Sequence, residues 1–248
     1  MRIRLYLLFL LIPLLSACIT VDSGPADNEK ASAINVQLGM GYLQQNKLEL
    51  ANEKLVKALR QNPKSASAHN AYAILQDRLL IKDKAAFHYK KATSLDPKDS
   101  QAANNYGTFL CRNNEEEKSE KYFLRALKNP LYKTPEFAYT NAALCLIRIN
   151  ERDRAISYLN KALAANSNFP VALVTMAKIS FEDQNFRNAK LYVDRYHLVA
   201  RPSSKSLWLS IRTELMLDTN QDVDELADQL QTNFPESEEY QSWLAIEK

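Results

Sequence analysis

From residue 32 onward the apolar positions recur at helical spacing and fall into three registered series. Small residues stand at Gly39, Ala73, Gly107, Ala143 and Ala177. A second small series runs Ala51, Ala85, Ser119, Ala155 and Ala189. A bulky series runs Leu55, Tyr89, Phe123, Leu159 and Val193. Paired antiparallel helices need this arrangement. Small residues at the crossing let two backbones approach, and a large side chain from the second helix fills the space beside them. Proline then ends the second helix of a pair, as at Pro63 and Pro97.

The series share a period. Ala58, Ala92 and Ala126 are spaced by 34 residues, and so are Pro63 and Pro97. A helix-turn-helix unit of this length and pattern resembles the tetratricopeptide repeat. Six copies are read, at 32–65, 66–99, 100–133, 136–169, 170–203 and 204–237. Two extra residues, near Thr134 and Pro135, separate the third from the fourth. The sixth departs from the pattern, with Ile211 and Val223 at small positions and Leu230 where alanine is expected. Residues 238–248 read as a terminal helix whose Tyr240, Trp243 and Leu244 cover the last face. The expected fold is all-α, a right-handed superhelical solenoid of six repeats over 32–248.

The first 17 residues carry a different pattern. Arg2 and Arg4 precede an apolar run from Leu5 to Leu15. That run is too short for a bilayer span, which takes roughly twenty residues, but it suits a signal peptide. Leu15-Ser16-Ala17-Cys18 follows and resembles the bacterial lipobox, in which the cysteine is acylated and becomes the first mature residue. The alternative is a plain signal peptide with a cysteine by coincidence. Ile19 stands where the inner-membrane retention pattern has Asp, which points to the outer membrane. Acyl chains add about 0.8 kcal/mol per buried CH₂, so several of them anchor stably. Residues 18–31 are polar and aperiodic and read as a flexible tether.

Charge adds little. The 32 Lys and Arg, less Arg2 and Arg4, stand against 29 Asp and Glu, a balance of +1. Nucleic acid is not an expected partner on that footing. With only 4 glycines, Gly-rich phosphate loops are not expected either. The chain has no GxSxG, HExxH, P-loop or CxxC motif. His69, His88 and His197 show no ligand spacing and read as surface or packing residues. No enzyme activity, cofactor, metal or small-molecule substrate is expected.

Binding is the remaining class. First helices of such repeats line a concave surface that takes a peptide or a helix. Arg78, Arg112 and Arg148 occupy the thirteenth position of three consecutive repeats. They read either as a basic ladder for an acidic partner or as a solvated row of charges. Asn105 and Asn141, at the sixth position, are scaffold residues or bond a peptide backbone. Val36, Met40 and Leu43 read as an apolar groove patch or as core.

With Cys18 acylated, Cys111 and Cys145 remain, on adjacent first helices. An even pair in an oxidising compartment suggests a disulfide; two buried free thiols are the alternative. A bridge would close about 35 residues and contribute roughly 3 kcal/mol.

Lipobox, tether and six repeats together resemble the outer-membrane lipoprotein of type IV pilus assembly, the pilotin or pilus biogenesis/stability family. The resemblance is carried by Gln37-Leu38-Gly39-Met40-Gly41-Tyr42-Leu43, by Asn104-Asn105-Tyr106-Gly107-Thr108-Phe109-Leu110 and by Ser237-Glu238-Glu239-Tyr240. It implies a non-enzymatic, lipid-anchored protein facing the periplasm. It also implies a partner, the secretin subunit, whose localisation and multimerisation the protein promotes. The competing reading is an envelope lipoprotein serving β-barrel assembly or peptidoglycan enzymes.

Overall fold

The computed structural model describes residues 25–218 and 222–246. The signal peptide expected at 1–17 and the acylation site expected at Cys18 lie outside them. Among the described residues there are thirteen helices and no strand. The helices come in pairs. The first pair is α1 (Pro25–Gln44) with α2 (Leu48–Gln61), the second α3 (Ala66–Arg78) with α4 (Lys82–Leu95). Then come α5 (Ser100–Arg112) with α6 (Glu116–Leu127), and α7 (Pro135–Arg148) with α8 (Arg152–Ala165). The last two pairs are α9 (Pro170–Glu182) with α10 (Phe186–Val199), and α11 (Ser204–Leu217) with α12 (Val223–Asn233). A final helix, α13 (Glu238–Ile246), packs on α11 and α12. The all-helical repeat stack expected from the sequence is the fold observed.

The three size-registered series meet inside each pair. Leu55, Phe123, Leu159 and Val193 are fully buried beside the small residues. At Gly107 a Cβ would lie 2.8 Å from the Phe123 ring, and at Gly39 it would lie 2.6 Å from Leu55. Glycine therefore stands there for closeness of approach. Ser119, where four other repeats carry alanine, is tolerated because its hydroxyl donates to the Gly107 carbonyl at 2.9 Å. In the sixth pair Ile211 and Leu230 are fully buried. That pair is filled by larger side chains and shielded by α13, whose Tyr240 and Trp243 pack against it.

Turn chemistry is as regular as the core. Each turn within a pair has its fifteenth repeat position in the left-handed region: Asn46, Leu80, Asn114, Asn150, Gln184 and Asp218, with φ from 55° to 62°. In the first five the next amide closes back five residues, as in Lys47 N to Tyr42 O at 2.9 Å and Glu151 N to Leu146 O at 2.9 Å. This is a Schellman ending, with asparagine in three of the five where glycine is usual. Between pairs, Asn62, Asp96, Asn129 and Asn166 each accept from the amide two residues on, forming Asx turns. Ser65 and Asp99 then cap the next helix.

One boundary differs from expectation. α1 begins at Pro25, inside the 18–31 stretch read as a tether. Proline suits the first helical position. The polar residues behind it have partners: Ser32 Oγ donates to the Ala58 carbonyl at 2.9 Å, and Asn35 Nδ2 to Gln61 Oε1 at 2.8 Å. Residues 25–31 are thus the first turns of a helix that docks on α2 from Ser32 onward, with 26–31 mostly exposed.

Candidate functional site

The thirteenth-position arginines end α3, α5 and α7, and each reaches back to the twelfth position of the preceding repeat. Arg78 Nη1 donates to the Leu43 carbonyl. Arg112 pairs with the Asp77 carboxylate. Arg148 donates to the Cys111 carbonyl at 2.6 Å and to Asn114 Oδ1 at 2.8 Å. For Arg78 and Arg148 the acceptors are among the last carbonyls of a helix, which lack intrahelical partners and carry partial negative charge. For Arg112 a carboxylate takes that place. The basic ladder for an acidic partner is therefore corrected to a set of stitches between repeats.

Asn105 and Asn141 have a similar place. Asn105 Nδ2 donates to Asn70 Oδ1 at 3.2 Å, and Asn141 Nδ2 to Asn104 Oδ1 at 3.1 Å. Both connect successive first helices. Val36, Met40 and Leu43 are corrected too. Leu43 is buried, and the other two are half-buried against the Leu55, Ala71 and Leu75 cluster. They fill the joint between the first two repeats because the first helix of one must cover the face of the next.

Cys111 and Cys145 are bonded to each other, with Cα atoms 5.8 Å apart. The bridge joins α5 to α7 across the boundary that carries the two extra residues. Both sulfurs are buried beside Phe123 and Ala142.

A histidine pair was not legible as such in the sequence. His69 and His88 face each other across α3 and α4, with Nδ1 atoms 2.8 Å apart. His69 Nε2 lies 3.1 Å from the Pro63 carbonyl and so carries its proton there. His69 Nδ1 then accepts from His88. Burial, with the neighbouring His69 and Lys84, pushes His88 down to about 4. The available signal was that both residues fall within one repeat, on facing helices.

The concave side opens into a groove of about 460 Å³ between α7, α9 and α11. Leu144, Ile147, Val174, Trp208 and Leu209 give it an apolar wall. Arg152 and Lys178 at its edge have carboxylate partners, Arg152 in Glu182 and Asp183 and Lys178 in Glu182, although Arg152 Nε itself makes no hydrogen bond among the described residues. Arg212 is different. Its guanidinium lies 4.5 Å from the centroid of Phe181 and 5.6 Å from that of Trp208. Its Nε is buried with no hydrogen-bond partner among the described residues. Burial lowers its proton affinity from the ordinary arginine value.

No group of three or more metal-ligating side chains occurs among the described residues. Nor, among them, is any helix long and apolar enough to cross a membrane.

Tetratricopeptide-repeat family models match residues 36–86, 88–121 and 138–169. The type IV pilus assembly protein PilF of Pseudomonas aeruginosa is 30% identical over 250 residues, covering 99% of this chain and 99% of that protein. The chain belongs to the PilF family. A solved structure of Pseudomonas aeruginosa PilF superposes with a TM-score of 0.80 at 30% identity, covering 89% of this chain and 99% of that one. PilW, described as a widely conserved type IV pilus biogenesis factor, superposes with a TM-score of 0.76 at 33% identity. It covers 86% of this chain and 98% of its own. This PilF relative thus shares its repeat stack with both along most of its length.

Proposed function

We propose that this protein is a non-enzymatic scaffold of type IV pilus biogenesis, held by acyl chains on Cys18 at the periplasmic face of the outer membrane. It binds the secretin subunit and promotes its localisation and multimerisation. The observation that carries this reading is the similarity to PilF along 99% of the chain. Two further observations support it. Stacked helix pairs offer a long concave surface of the kind that repeat proteins use to hold other proteins. The Cys111–Cys145 bridge suits an oxidising compartment.

The mechanism is confinement. Acyl chains fix one end of the chain at a surface. A subunit captured by the repeats is then restricted to a thin layer, and its effective concentration there rises with no new contact between subunits. Multimerisation depends steeply on that concentration.

The test is deletion of the gene, with complementation by wild-type protein and by Cys18→Ala. Loss of twitching motility and of secretin multimers on deletion, restored by wild type only, supports the proposal. Intact pili with normal secretin multimers would refute it. Broad envelope sensitivity with normal pili would favour a role in β-barrel assembly or peptidoglycan-enzyme regulation. Labelling with radioactive fatty acid reads the anchor separately.

A further inference from the structure

Arg212 sits in the groove as a cation without an anion. Among the described residues no carboxylate lies within ion-pair distance of it. Arginine contact with Phe181 and Trp208 offsets part of the desolvation. It leaves the in-plane N–H donors unused, and a partly buried charge is costly without a hydrogen-bonded counter-ion. Neighbouring charges do not supply one. Of the two carboxylates on the lining, Glu182 is held by Arg152 and by Lys178, and Glu239 makes no ion pair with Arg212; Lys205, also on the lining, adds a further positive charge. The aromatic contacts also restrict the side chain, which limits the entropy lost when a ligand binds. Beside it run the apolar side chains of Leu144, Val174 and Trp208. The chemistry asked of an occupant is therefore specific: a carboxylate flanked by aliphatic groups.

We propose that this groove binds a peptide segment of a partner protein, with an aspartate or glutamate side chain on Arg212 and aliphatic neighbours against Leu144, Val174 and Trp208. Planar, two-point pairing with a carboxylate is what a guanidinium does better than an ammonium. The volume of about 460 Å³ accommodates a few side chains, not a folded domain. The inference stands on the groove alone and holds whichever protein supplies the segment.

The test is selection of a phage library of random dodecamers on the mature protein, followed by binding of one selected peptide, synthesised with both ends blocked. The selected sequences are expected to be enriched in Asp or Glu next to Leu, Ile or Val. The blocked peptide is expected to bind Arg212→Gln at least about tenfold more weakly, with Arg212→Lys between the two. Thr175→Glu places a carboxylate on the groove wall while keeping Arg212 itself, and is expected to weaken the same peptide. Circular dichroism checks that each variant keeps its helicity. No enrichment, enrichment without acidic residues, or equal affinity for folded Arg212→Gln overturns the proposal. If Arg212→Gln does not fold, undiminished binding to Thr175→Glu overturns it.

Discussion

Arg148 on α7 donates to the backbone oxygen of Cys111 on α5, at 2.6 Å, and Cys111 is the residue bridged to Cys145 one turn before that arginine. A covalent link and a charge-assisted hydrogen bond thus secure the same joint. The closed loop spans 34 residues, for which the chain-entropy argument gives roughly 3 to 4 kcal/mol. Cys145→Ser is expected to lower unfolding stability by about that much, and reductant is expected to do the same to the wild type. Arg148→Met, on an exposed side chain, is expected to cost about 1 kcal/mol. Urea unfolding with and without reductant measures both.

Gly107→Ala is expected to destabilise by about 1 to 3 kcal/mol. The added methyl would lie 2.8 Å from a ring carbon of Phe123, which is buried and has nowhere to retreat. Phe123→Leu in the same chain should return part of the loss, because the smaller side chain vacates that space. Thermal melts of the two single variants and the double variant read the coupling.

Size matching of this kind was legible because it repeats with the period of the chain. The stitches were not. Arg78, Arg112 and Arg148 announce themselves as a periodic row, but what lies opposite each depends on how far one repeat is offset from the next. Only the stacked structure brings the thirteenth position of one repeat onto the twelfth of another. The groove was hidden for a related reason. Its floor residue, Arg212, belongs to the repeat that matches the pattern least, so no register pointed to it.

Leu80 is the outlier among the turns. It adopts φ 61° while 81% exposed, where the equivalent positions carry Asn, Gln or Asp. A β-carbon costs roughly 1 to 2 kcal/mol in that region, and the short polar side chains lose less. Leu80→Asn is expected to raise stability by roughly 1 kcal/mol, measured by thermal unfolding, with no change in helicity.

The His69–His88 pair makes stability depend on acid. Both histidines have lowered proton affinity in the folded state, His88 to about 4, from an ordinary value of 6.5. The unfolded chain takes up the proton first. The pair's contribution is therefore complete above pH 6.5 and is lost as pH falls from there towards 4. The His88 ring is partly open to solvent, so screening holds the effect to about 1 to 2 kcal/mol. His88→Gln is expected to flatten the dependence across that window, read from melting temperatures at stepped pH.

A stack whose units touch only their neighbours can peel from either tip, one layer at a time. The sulfur link between the third and fourth layers ends that freedom in the middle. Fraying from the N-terminal tip would stop at this rivet, and so would fraying from the C-terminal tip. The molecule then loses order as two short arms on a fixed hub. The Arg212 groove spans the hub's fourth layer and one arm, and the histidine pair lies on the other, so a disturbance at the pair leaves the groove standing.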